Sequence, residues 1–220
     1  MTHVAFDGTQ VRAWMRRFAQ SVYATEAELT ALDQRVGDGD FGANLAAGVR
    51  AAGLRLDRTE EPTGPAETLG VMADAFLDEI GGTSGPLFGL LFQALSRAAD
   101  SGPHLTTASL AEGTALGLAA IRRVGDASPG DKTLVDALAP AAAALLVAKG
   151  TPPAQALATA ADSAWQGVRD TASLTARMGR ASYLGQRATG IPDPGAVGVA
   201  LLFASATGTV DTLAHHVTTG

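Results

Sequence analysis

Alanine fills 45 of the 220 positions in this chain, and isoleucine only three: Ile80, Ile121 and Ile191. Alanine loses no side-chain entropy in a helix, and aromatic residues, which favour sheets, make up only 5% of the sequence. An all-β sandwich or barrel is therefore disfavoured, and the chain must close its core with helices. Many small side chains let helix axes approach closely, which predicts a compact antiparallel bundle. At 46% hydrophobic and 17% charged residues, the chain is too apolar to remain disordered. Its length suits one domain with a sizeable core.

Val135, Leu138, Ala142, Leu145 and Leu146 share one helical face. Thr25-Glu26-Ala27-Glu28 and Ser109-Leu110-Ala111-Glu112 read as capping boxes, and Pro152-Pro153 suits a first helical turn. The pattern predicts about eight helices: over 9–23, 25–36, 43–56, 65–80, 85–100, 108–124, 132–149 and 153–172, with a further stretch from 195 to about 215. The segment Arg58–Pro65 is a linker too short to separate domains, so residues 1–220 read as one all-α domain.

The net charge of -6 and the lack of any basic run argue against a nucleic-acid binder. With no cysteine, disulfides, thiolate nucleophiles and cysteine metal sites are excluded. The longest uncharged stretches, Leu138–Ala148 and Ala196–Ala206, run to about 11 residues where a membrane span needs roughly 20. Arg12, Arg16 and Arg17 interrupt any apolar signal core near the start. The expectation is a cytoplasmic protein with no membrane or nucleic-acid partner.

Four segments break the helical pattern, each rich in glycine, aspartate or hydroxyls. The first, LDQRVGDGDFGAN from Leu32 to Asn44, places Asp33, Asp38 and Asp40 within eight residues beside Gly37, Gly39 and Gly42. Carboxylates converging on one point suit a hard cation such as Mg²⁺. An EF-hand fails, because a loop starting at Asp38 would put Gly42 fifth and Val49 twelfth. A solvated Asp-Gly turn with ordinary caps is the rival reading. The second, Gly81-Gly82-Thr83-Ser84-Gly85-Pro86, runs into a helix start, a ready phosphate site or simply a capped N-terminus. The third, Gly125 to Leu134, contains GDKT. It is not a Walker A loop, because Asp131 stands where lysine must follow glycine and no strand precedes it. The fourth, from Gly179 to Ala196, brings Arg180, Tyr183 and Arg187 before Asp193-Pro194-Gly195, where arginines suit phosphate and the last three suit a helix cap. The four histidines lie outside all four segments, and no nucleophile elbow occurs. This inventory suits phosphoryl transfer, which depends on positioning and charge neutralisation.

In this order the stretches LDQRVGDGDFGAN, GGTSGPLFG, SPGDKTLVDAL and GRASYLGQRATGIPDPGA resemble the nucleotide-binding subunit of dihydroxyacetone kinases, the Dak2 family, over residues 30 to 200. The resemblance implies an antiparallel eight-helix barrel with ADP or ATP at one end and two Mg²⁺ ions bridging its phosphates to Asp33, Asp38 and Asp40. It implies nucleotide contacts at Phe41, Gly42, Ala43, Asn44, Thr83, Ser84, Gly125, Leu134, Asp193, Pro194 and Gly195, with Arg180 holding phosphate and serving catalysis beside the three aspartates. Phe41 stands where the family usually has histidine, so an imidazole role is lost and the ring is free to wall the pocket. The resemblance further implies a separate partner subunit that holds dihydroxyacetone or a similar short ketose on a histidine. This chain then acts as half of a kinase, with the phosphoryl donor being ATP or, preferred on size, a protein of the phosphotransferase system. A homodimer is left open. The alternative is a non-enzymatic ADP-sensing module that binds a regulator.

Overall fold

The computed structural model describes residues 6–59, 64–79, 84–99 and 102–217. Its helices are α1 (Gly8–Gln34), α2 (Phe41–Leu56), α3 (Pro65–Glu79), α4 (Ser84–Ala99), α5 (Thr107–Gly125), α6 (Val135–Val147), α7 (Pro153–Thr171), α8 (Pro194–Ala204) and the single turn α9 (Ala214–Val217). A 3₁₀ segment, Arg180–Ala188, lies between α7 and α8. Each of α1 to α7 packs on its successor, and α8 returns to α1, which closes the expected antiparallel barrel. No strand occurs among the described residues, and none of the helices is long and apolar enough to cross a membrane.

The middle of the barrel is filled from two directions. Phe76 sits against Phe92 and Phe88, with ring centroids 5.3 and 5.9 Å away, and Phe18 reaches Phe92 from α1. Helix α8 is apolar on all sides and buried from Ala196 to Phe203, touching α1, α2, α6 and α7. Its C-terminal carbonyls are satisfied from α1: Trp14 Nε1 donates to Leu202 at 2.7 Å, and Arg17 donates to Ser205 and Ala206 at 2.8 and 2.6 Å. α8 is thereby fixed along its axis, and with it the position of its N-terminus.

Several expected boundaries move. The two helices expected over 9–23 and 25–36 are one, because buried Thr25 turns its hydroxyl back to the Ser21 carbonyl at 2.8 Å and caps nothing. The box at the start of α5 is made three residues earlier than Ser109-Glu112. Thr106 Oγ1 accepts the Ser109 N–H at 3.1 Å while Ser109 Oγ accepts the Thr106 N–H at 2.9 Å. The expected stretch from 195 to about 215 stops at Ala204, where Gly208 and the hydrogen bond from the Val210 N–H to Ser21 Oγ divert the chain. Half of the Arg58–Pro65 linker, residues 60–63, lies outside the described residues.

Candidate functional site at one end of the barrel

In an up-and-down ring, alternate helices start at the same end. Here α2, α4, α6 and α8 all begin around one cavity of about 250 Å³, at the residues Phe41, Ser84, Val135 and Pro194. Four helix N-termini aimed at one volume give it a positive backbone field, which suits an anion.

Against that field stand acids. Asp33, in the last turn of α1, is 9% exposed, and its Oδ2 accepts the Phe41 N–H at 3.1 Å. Asp38 and Asp40 follow across the turn, and carboxylate oxygens of all three lie within 4.8 Å of one another. The turn depends on its glycines. Gly39 has φ +79°, and a side chain at Gly37 would strike the Asp33 carboxylate. Asp40 stands at the N-cap of α2 without making a side-chain cap bond, so the ordinary-cap reading of that residue fails. Arg180, from the 3₁₀ segment, reaches over and pairs with Asp38. All-oxygen, multiply charged donors fit a hard divalent cation, and Asp33 is already oriented for one by its backbone bond.

The opposite side is built from the α5–α6 loop and the turn before α8. Asp136 Oδ2 accepts the Thr133 N–H at 2.8 Å, and its Oδ1 accepts the Gly130 N–H at 2.5 Å. Asp193 caps α8 by accepting the Ala196 N–H at 2.7 Å, and its own N–H donates to Thr171 Oγ1 at 2.9 Å. Burial pushes the Asp193 carboxyl up to about 7. The Asp136 and Asp33 charges add to that rise, while the Ala196 N–H and the Lys132 charge oppose it. Between the two sides, Leu87, Ile121, Ala127 and Met178 give the cavity apolar wall.

Of the positions expected from sequence, Asp33, Asp38, Asp40, Phe41, Asn44, Ser84, Gly125, Leu134, Arg180, Asp193, Pro194 and Gly195 line this one cavity. Gly42 and Ala43 do not. Gly42 lets α2 settle on α1, where a Cβ would lie 2.6 Å from the Glu26 carbonyl oxygen. Thr83 lies outside the described residues. Phe41 is a buried wall: a Cβ on Gly198 of α8 would lie 2.9 Å from the ring tips of both Phe41 and Phe88. Sequence reasoning missed Asp136, Thr171 and the structural part of Lys132. Only Lys132 left a trace, as one of two lysines in the chain. No histidine among the described residues lines the cavity.

Comparison with known proteins gives the family and the fold. The DAK2 domain matches residues 35–208. The chain is 33% identical over 201 residues to the PEP-dependent dihydroxyacetone kinase 1, ADP-binding subunit DhaL, of Listeria innocua, covering 91% of this chain and 96% of that subunit. It is 37% identical over 191 residues to L-erythrulose 1-kinase of Mycolicibacterium smegmatis, covering 86% of this chain but 34% of that enzyme. The chain thus spans about a third of the L-erythrulose kinases it matches. The crystal structure of the dihydroxyacetone kinase of C. freundii superposes with a TM-score of 0.70 at 28% identity, over 94% of this chain and 36% of that one. The same enzyme in complex with AMP-PNP and Mg²⁺ gives a TM-score of 0.67 at 27% identity, over 94% of this chain and 35% of that one.

Proposed function

The chain belongs to the DAK2 domain family, and we propose that residues 1–220 form the nucleotide-binding half of a kinase for dihydroxyacetone or a related short ketose. One observation carries this reading. Three aspartates converge where four helix N-termini also converge, so the site offers cation ligands and an anion cradle in one cavity. A magnesium–polyphosphate is the ligand that satisfies both. Relatives named as ADP-binding subunits, and a fold neighbour holding AMP-PNP and Mg²⁺, support the nucleotide and the metal.

In this reading Asp33, Asp38 and Asp40 hold two Mg²⁺ ions, which supply charge neutralisation at the phosphoryl oxygens when bound. Arg180 and the amides at Ser84 orient those oxygens and restrict the phosphoryl group to the line of transfer. Asn44 and the Asp193-Pro194-Gly195 turn fix the nucleotide, and Phe41 with Leu134 keeps water out of the apolar side. The acceptor hydroxyl comes from a ketose held by a partner subunit, and the complex works in the cytoplasm. The L-erythrulose kinases and triokinases among the relatives support a three- or four-carbon substrate. Near end-to-end matches to the PEP- and PTS-dependent ADP-binding subunits favour ADP that stays bound and is rephosphorylated by a phosphotransferase-system protein.

The nucleotide and magnesium content of freshly purified protein tests this first. Stoichiometric ADP supports the retained-coenzyme form, while uptake of ATP with Mg²⁺ by an empty protein supports direct use of ATP. Binding of neither overturns the site. Mixing with a substrate-holding dihydroxyacetone kinase subunit should yield phosphorylated ketose. Nucleotide binding without product in that mixture would favour the ADP-sensing alternative.

A further inference from the structure

The loop between α5 and α6 holds two non-glycine residues in left-handed backbone, Asp126 at φ 51° and Lys132 at φ 62°. Asp126 is explained as the residue that ends α5. Lys132 is not at a helix end, and it is 1% exposed, among the largest fully buried side chains of the molecule. A left-handed lysine is strained, and a buried ammonium must replace its lost hydration. Both costs persist in a fold only when the surroundings demand that conformation.

The surroundings are two carbonyls from elsewhere in the chain. Lys132 Nζ donates to Thr171 at 2.5 Å and to Ile191 at 2.6 Å. Thr171 ends α7, and Ile191 opens the turn into α8. One side chain therefore joins three segments that are otherwise far apart in sequence. Its own loop brings Gly125, Thr133 and Leu134 to the cavity, and the turn brings Asp193 and Gly195. The two sides meet closely: a Cβ on Gly195 would lie 3.3 Å from Leu134 Cβ. Burial lowers the pKa of Lys132, against the opposing charges of Asp193 and Asp136.

We propose that Lys132 is a positioning residue for the nucleotide, its ammonium clamping the α5–α6 loop to the turn before α8 so that this wall of the cavity is set before the ligand arrives. The inference rests on the nucleotide reading of the site. It makes no claim that Lys132 touches phosphate.

Titration of the full chain with MgADP tests it on wild type, Lys132→Met, Lys132→Arg and Trp14→Phe. Methionine fills the space without the donors, and arginine keeps the charge in a different shape. Trp14→Phe removes the bond to Leu202 at the far end of α8 and loosens the fold away from the cavity. Lys132→Met is expected to weaken MgADP about tenfold or more, the equivalent of one lost charged hydrogen bond. Lys132→Arg is expected to recover part of that loss. Binding of Mn²⁺ at the aspartates should be unchanged in Lys132→Met, and Trp14→Phe should lower the melting temperature without moving affinity. Wild-type affinity in both lysine variants would overturn the proposal. So would a loss in Trp14→Phe equal to that in Lys132→Met, since general loosening would then explain it. If Lys132→Met does not fold, unchanged affinity in Lys132→Arg overturns it. A wild-type protein that binds neither ADP nor ATP fails at an earlier step, in the site assignment itself.

Discussion

The two sides of the cavity are built on opposite principles. On the aspartate side, Asp38 and Asp40 are solvent-facing charges, Asp33 is committed only through one backbone bond, and the three repel one another. On the loop side, Lys132, Asp136, Thr171 and Asp193 spend their polar atoms on backbone groups of neighbouring segments. On the proposed function, the first side is completed by its ligand and the second is complete without it. A site for a metal-bound nucleotide needs both, because rigid walls hold the phosphoryl group in line while three carboxylates with one arginine between them reserve their binding energy for the metal.

The largest test of this contrast is Asp38→Ala or Asp40→Ala. If these acids hold the cation as proposed, removing one should cut phosphoryl transfer with a substrate-holding partner subunit by about a thousandfold or more. The same change relieves like-charge repulsion, so the melting temperature should hold or rise. Loss of activity accompanied by unfolding would show that the aspartates support the fold.

Asp136→Ala applies the same chemical change to the other side and should give the opposite result. Two backbone N–H groups, of Gly130 and Thr133, lose their acceptor. Denaturant titration should show a loss of about 2 kcal/mol, with nucleotide affinity falling as the loop relaxes. Equal stability in the wild type and Asp136→Ala would mean that the loop is held by other contacts.

How much of this could be read from sequence follows the same division. The helices were legible because alanine, leucine and one-faced spacing are local signals, and the aspartates because three carboxylates and three glycines in one short stretch have few structural uses. The loop side was not. Asp136 sits in the first turn of α6, where an acid is ordinary, and Thr171 ends α7, so neither departs from its local pattern. The partners of Asp136 lie 3 and 6 residues away, and the partner of Thr171 lies 22 away. Lys132 was visible as a rare lysine, but its carbonyl partners, 39 and 59 residues away, were not. The Thr25 and Ser109 boxes failed for a related reason, since a hydroxyl that bonds back to the preceding turn and one that caps have the same sequence.

Phe41 stands at the junction of the two sides and gives a smaller test. Its N–H is bound to Asp33 and its ring is buried against Gly198 of α8. Phe41→His keeps the backbone bond but places an imidazole in an apolar slot, costing about 1–2 kcal/mol of stability. MgADP affinity should fall several-fold as that wall is disturbed. Unchanged affinity would remove the ring from the cavity's working surface.

Asp193 is the exception on the closed side, and its effect is the smallest. Its carboxyl is raised to about 7, chiefly by burial, so between pH 4 and 7 the folded chain holds a proton that the unfolded chain has released. In that window the unfolded state binds fewer protons, and stability must fall as pH rises, levelling off above 7. Urea midpoints at pH 5 and pH 7 should differ by on the order of 1 kcal/mol from this group, below the full linkage value because the cavity is open to water. Asp193→Asn retains a cap acceptor for the Ala196 N–H and cannot titrate, so the Asp193 contribution should disappear from the slope. A slope unchanged between wild type and Asp193→Asn would place the titrating group elsewhere and leave the loop side without an exception.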